Sequence, residues 1–93
     1  MSNNIIIGTN ISLPSNSSNK INLGGVLFGS NTYFNTGVTF SISAQTEGKI
    51  GIGEVEPTAK LHIAASTTLS AALRLTVGPA PTEPNDGDIW LIS

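Results

Sequence analysis

The residues able to do chemistry are few. His62 is the only histidine, and it stands between Leu61 and Ile63. Two carboxylate pairs stand at i, i+2, Glu54/Glu56 and Asp86/Asp88. Paired acids serve glycoside hydrolysis or calcium binding, but calcium takes six or more oxygens and Asp86-Gly87-Asp88 brings no further ligands in sequence. Both pairs lie beside Pro or Gly, where acids are common for local turn reasons. No Ser or carboxylate is spaced from His62 as a triad would suggest, so no catalytic residue is assigned and no enzyme is expected. Gly48-x-x-Gly51-x-Gly53 is not a nucleotide loop: no Lys-Ser/Thr follows it, and Pro57 stands where the helix would run. No metal site and no cofactor is expected.

Those residues sit in a chain of 93 positions, 40 of them Ser, Thr, Asn or Gly. Charged residues make up 11% and aromatic residues 5%. Such a balance favours strands joined by turns and supplies too few large side chains for a thick core. Lys20, Lys49, Lys60 and Arg74 are the only basic residues and are scattered. A phosphate-binding stripe is therefore absent, and nucleic acid is not an expected partner. No apolar run is long enough to span a bilayer, so no membrane partner is expected. With no cysteine the chain has no disulfide frame and no thiolate site.

Along the chain, residues 1–20 read as an N-terminal arm. Ile5-Ile6-Ile7 is a β-branched run closed by Gly8, and residues 15–19 carry no apolar side chain and read as an exposed loop. A solvated tail has no use for three consecutive isoleucines, so the arm is read as an anchor, with Ile5, Ile6, Ile7, Ile11 and Leu13 as its apolar contacts. Residues 21–93 form the second unit. Ile21 and Leu23 alternate with Asn22, Gly24-Gly25 breaks the run, and Val26-Leu27-Phe28 resumes it before a turn at 29–31. Val38, Phe40 and Ile42 alternate with polar residues as a half-buried strand. In Ile50-Gly51-Ile52-Gly53, both isoleucines face one side and the glycines leave room for close approach on the other. Glu54–Thr58 is a turn, and Lys60–Ile63 returns as a strand with Leu61 and Ile63 buried and His62 outward. Residues 64–73 are the one helix candidate, with Leu69 and Leu73 at i, i+4. Arg74–Val77 and Asp88–Ile92 read as strands flanking a proline-rich spacer.

Gly48–Ile63, a Gly-x-Ile-Gly-Ile-Gly run followed by Pro57 and then Lys60-Leu61-His62-Ile63, resembles a repeat of bacteriophage fibre proteins. Ala80–Trp90, with Pro84-Asn85-Asp86-Gly87-Asp88-Ile89-Trp90 at its end, resembles a second motif that follows the repeat in such fibres. The resemblance covers about a third of the chain. It implies a β-rich, intertwined homotrimeric fibre on a virion, so that the expected fold is all-β and elongated with short strands, and the residue pattern adds at most one short helix near 64–73. Thinness as a monomer agrees with it, because three copies supply three times the apolar surface along a shared axis. The expected trimer core is Ile50, Ile52, Leu61, Ile63, Leu73, Leu75, Ile89 and Leu91. Arm residues 1–20 would bind the capsid or another virion protein. The short length favours a head fibre on the capsid surface over a long tail fibre. The competing reading is a tail-fibre or receptor module, with Tyr33 and Trp90 as stacking platforms for a host surface glycan.

Overall fold

The computed structural model describes residues 2–33, 37, 39–40 and 44–92. Five short strands form one mixed sheet: β1 (Ile5–Ile7), β2 (Ile21–Leu23), β3 (Leu27–Ser30), β4 (Lys49–Ile52) and β5 (Leu61–Ile63). They lie side by side in sequence order. The two outer pairs, β1–β2 and β4–β5, are parallel, and the two inner pairs are antiparallel. The protein is thus all-β among the described residues, as its composition requires.

The central hairpin follows from two adjacent glycines. Gly24 and Gly25 have φ of 63° and 72°, and the Val26 N–H donates to the Leu23 carbonyl at 3.1 Å. Positive φ at both central positions is the type I′ geometry whose twist matches the flanking strands. The run resumes after the break as expected. It extends through Gly29 and Ser30, where the sequence predicts a turn, because both pair with β4.

The parallel pairs depend on side chains that hold irregular chain. Between β1 and β2, Asn10, Asn16 and Asn19 take left-handed backbone (φ 56°, 64° and 58°), the non-glycine residue type best suited to it. Asn4 clamps this segment, donating to the Ser17 carbonyl at 3.0 Å and accepting from the Lys20 N–H at 3.1 Å. The arm expected from residues 1–20 therefore lies along the sheet, with β1 as its edge strand. Ser17, expected in an exposed loop, is buried, and its hydroxyl donates to the Pro14 carbonyl at 2.5 Å.

Asn22 is the pivot of that arrangement. It is 3% exposed, its Nδ2 donates to the Ser12 carbonyl at 2.5 Å, and its Oδ1 accepts from the Gly25 N–H at 2.9 Å. Asn22→Ala removes both bonds and empties a buried position. We expect it to lower stability by about 2 kcal/mol, read as an earlier urea midpoint at fixed protein concentration.

No helix occurs among the described residues, including 64–73. Thr67 captures the local backbone instead: its hydroxyl accepts from the N–H groups of Leu69 and Ser70, both at 3.2 Å. This is the competition by which Thr disfavours a marginal helix. The strands expected at 74–77 and 88–92 reduce to a single bridge between Val77 and Leu91. The alternating strand expected over 38–43 falls outside the described residues apart from Thr39 and Phe40.

Candidate functional site

Strand register sorts the side chains onto two faces. Ile6, Asn22, Phe28, Gly51 and His62 occupy one row across all five strands. From Asn22 to His62 their face is covered, while Ile6 on the edge strand stays exposed. The segment before β2 lies over Asn22 through the Ser12 bond, and the β4–β5 connection lies over Gly51. Among the described residues Leu13, Phe28 and Pro57 are the buried apolar side chains.

The rows on the opposite face read Ile5, Ile21, Gly29, Ile50, Leu61 and Ile7, Leu23, Leu27, Ile52, Ile63. Nine of these ten residues are Ile or Leu, and none is polar or charged. None of the nine is buried. Leu61, expected in the interior, is 58% exposed in the single chain. Ile21 leans over Gly29, where an added Cβ would meet its Cδ1 at 3.1 Å. Beside it opens a shallow cavity of about 260 Å³ lined by Ile21, Gly29, Asn31, Gln45 and Ile50.

This face gathers four of the expected trimer-core residues, Ile50, Ile52, Leu61 and Ile63. It also gathers Ile5 and Ile7 from the expected anchor. Ile21, Leu23 and Leu27 belong to it as well and were not singled out from the sequence. Their signal was there in the alternation of Ile21 and Leu23 around Asn22, the same period of two that marks Ile50 and Ile52. The other four expected core residues, Leu73, Leu75, Ile89 and Leu91, lie exposed in the C-terminal segment. Of the remaining anchor residues, Leu13 is buried, Ile11 is half-buried and Ile6 is exposed on the opposite face. Tyr33 and Trp90 are both exposed.

His62 lies half-buried under the β4–β5 connection rather than on an open face. Its Nδ1 accepts from the Thr58 N–H at 3.1 Å, and its Nε2 stands 3.7 Å from the Glu54 carboxylate. The Thr58 hydroxyl is 3.4 Å from the same Nδ1. With that lone pair already taken by a backbone N–H, the ring is poorly placed to draw a proton from the hydroxyl. The group staples the loop to β5. The acids are likewise used by their own turns. Glu54 Oε1 accepts from the Glu56 N–H at 3.4 Å, and Asp88 Oδ2 accepts from the Asn85 N–H at 2.8 Å. Among the described residues no three His, Asp or Glu side chains converge as a metal site would need.

The feature with most consequence is therefore a surface, a charge-free apolar sheet face about five strands wide. A soluble monomer keeps contiguous apolar patches small, and larger ones mark contact sites. Comparison with protein families, curated proteins and solved structures finds no match to this chain.

Proposed function

We propose that the chain is the structural subunit of a short homotrimeric fibre, a head fibre standing on the capsid surface of a phage particle. The observation that carries this reading is the uncovered apolar sheet face. Burying it between copies gives a use to Ile and Leu side chains that the single chain leaves in water.

Surface area supports the same reading. The chain exposes 7373 Å². A compact monomer of its mass exposes only about 5,100 Å². Its radius of gyration is 17.0 Å, against roughly 12 Å for a compact domain of this length. The difference of about 2,300 Å² exceeds the roughly 800 Å² per partner of a standard interface. Threefold closure is the part contributed by the motif resemblance at Gly48–Ile63 and Ala80–Trp90.

Light scattering on the purified chain is expected to give three times 9.6 kDa. A monomer at micromolar concentration overturns the reading. Antibody-labelled electron microscopy of intact particles then tests location. Label over the capsid supports a head fibre, and label confined to the tail favours the tail-fibre or receptor-module alternative.

A further inference from the structure

We infer that the apolar sheet face of one copy is covered by the C-terminal segment of the next, residues 65–92, so that the copies are held together by exchanged segments. This rests on the self-assembly proposed above and names the two surfaces that meet.

The C-terminal segment is the second apolar surface without cover. Every residue from 65 to 92 is exposed. Leu69 is 94% exposed and Ile89 is 80% exposed. Among the described residues its backbone bonds stay within the segment, from Thr67 to Ser70, Gly78 to Leu91 and Asp88 to Asn85. It has no core of its own and takes none from the sheet it follows.

It doubles back once, where Val77 bridges Leu91, and is otherwise open chain. Pro79, Pro81 and Pro84 fall within six positions and favour an extended, solvated backbone over a compact one. The segment leaves from β5, an edge strand, and the molecule reaches 49 Å along its longest axis. A segment exposed along its whole length is available to a neighbour. The receiving face offers apolar rows with no charge to desolvate, and the hollow beside Gly29 can take an inserted side chain.

The area fits a copy that both gives and receives. An excess of about 2,300 Å² divides into two contacts of about 1,100 Å² a side, above the standard size of roughly 800 Å². A giving surface that differs from the receiving surface makes a heterologous contact, which forms a ring when the rotation closes.

The chain has no cysteine, so single-cysteine variants report one position each. Ile52→Cys and Leu91→Cys chains are mixed, assembled and treated with a flexible bismaleimide. The expected product is a mixed dimer joining the two variants, in preference to either variant linked to itself. Ile52→Cys chains that link to one another at least as fast as to Leu91→Cys chains overturn the inference in favour of face-to-face packing. In the double variant, linkage within one chain places the segment on its own sheet and overturns it too. A trimer with no mixed product does the same while leaving self-assembly intact. A monomer by light scattering removes self-assembly itself, and the inference with it. The unmodified chain gives a second measurement through its only tryptophan, Trp90. Its emission should move to longer wavelength as the assembly dissociates on dilution, and emission that does not move counts against the inference.

Discussion

Ile52→Asp should abolish assembly. Ile52 is 42% exposed in the single chain and stands on the apolar face one strand in from its edge, flanked by Leu27 on β3 and Ile63 on β5. Covering that face with another copy would enclose a carboxylate among Ile and Leu side chains with no cation beside it. The lost apolar burial is worth about 2 kcal/mol, and desolvating an unpaired carboxylate adds several kcal/mol. A total near 4 kcal/mol per copy corresponds to about a thousandfold in affinity. Light scattering should therefore show monomer at concentrations where the unmodified chain assembles. Val55→Asp is the matched control. Val55 is 40% exposed, almost the same as Ile52, but lies in the β4–β5 connection, away from that face. It should leave the assembly intact. Equal behaviour of the two variants would mean that the sheet face is not the contact.

The contrast between these two residues also shows what could be read from the chain. The alternation Ile50-Gly51-Ile52 announces a strand with two unlike sides, and the structure has that strand. Lys60–Ile63 reads as a strand by the same rule, and β5 covers all but its first residue. Gly24-Gly25 marks a break that is the turn of the central hairpin. Such features are local, set by the period of two and by backbone freedom. The partner of each strand is not local. Nothing in Ile5-Ile6-Ile7 says that it pairs with Ile21–Leu23 across thirteen intervening residues, or that Asn4 and Asn22 tie that connection down.

The sense of the faces is also non-local. The side carrying His62 is the one the chain covers, because Gly51 lets a loop settle there. The isoleucine side is the one left half-buried or exposed. Residues 64–77 failed as helix and strand for a related reason. Thr67 offers its hydroxyl to the backbone, and no neighbouring strand lies alongside to reward extension.

The glycine on the covered side is where one added methyl group should have the largest effect on the fold. A Cβ on Gly51 would fall on the carbonyl oxygen of Glu54, a backbone atom that no rotamer change can move aside. Glu54 belongs to the turn that carries the chain from β4 over the sheet and back to β5. That turn is fixed by Gly53 at φ 70°, by buried Pro57 and by the Thr58 N–H bond to His62. Gly51→Ala must therefore lift the whole connection or distort β4. Overpacking of this kind costs up to about 3 kcal/mol, and here it also loosens the alignment of β5 with β4. We expect a urea midpoint well below that of the unmodified chain and faster amide exchange at Ile50 and Ile52. Gly78→Ala is the comparison. An added Cβ there meets no atom within 4 Å, and the change should stay within about 0.5 kcal/mol. If both substitutions are silent, the loop does not rest on Gly51. If both are severe, the loss at Gly51 is not specific to the loop that rests on it.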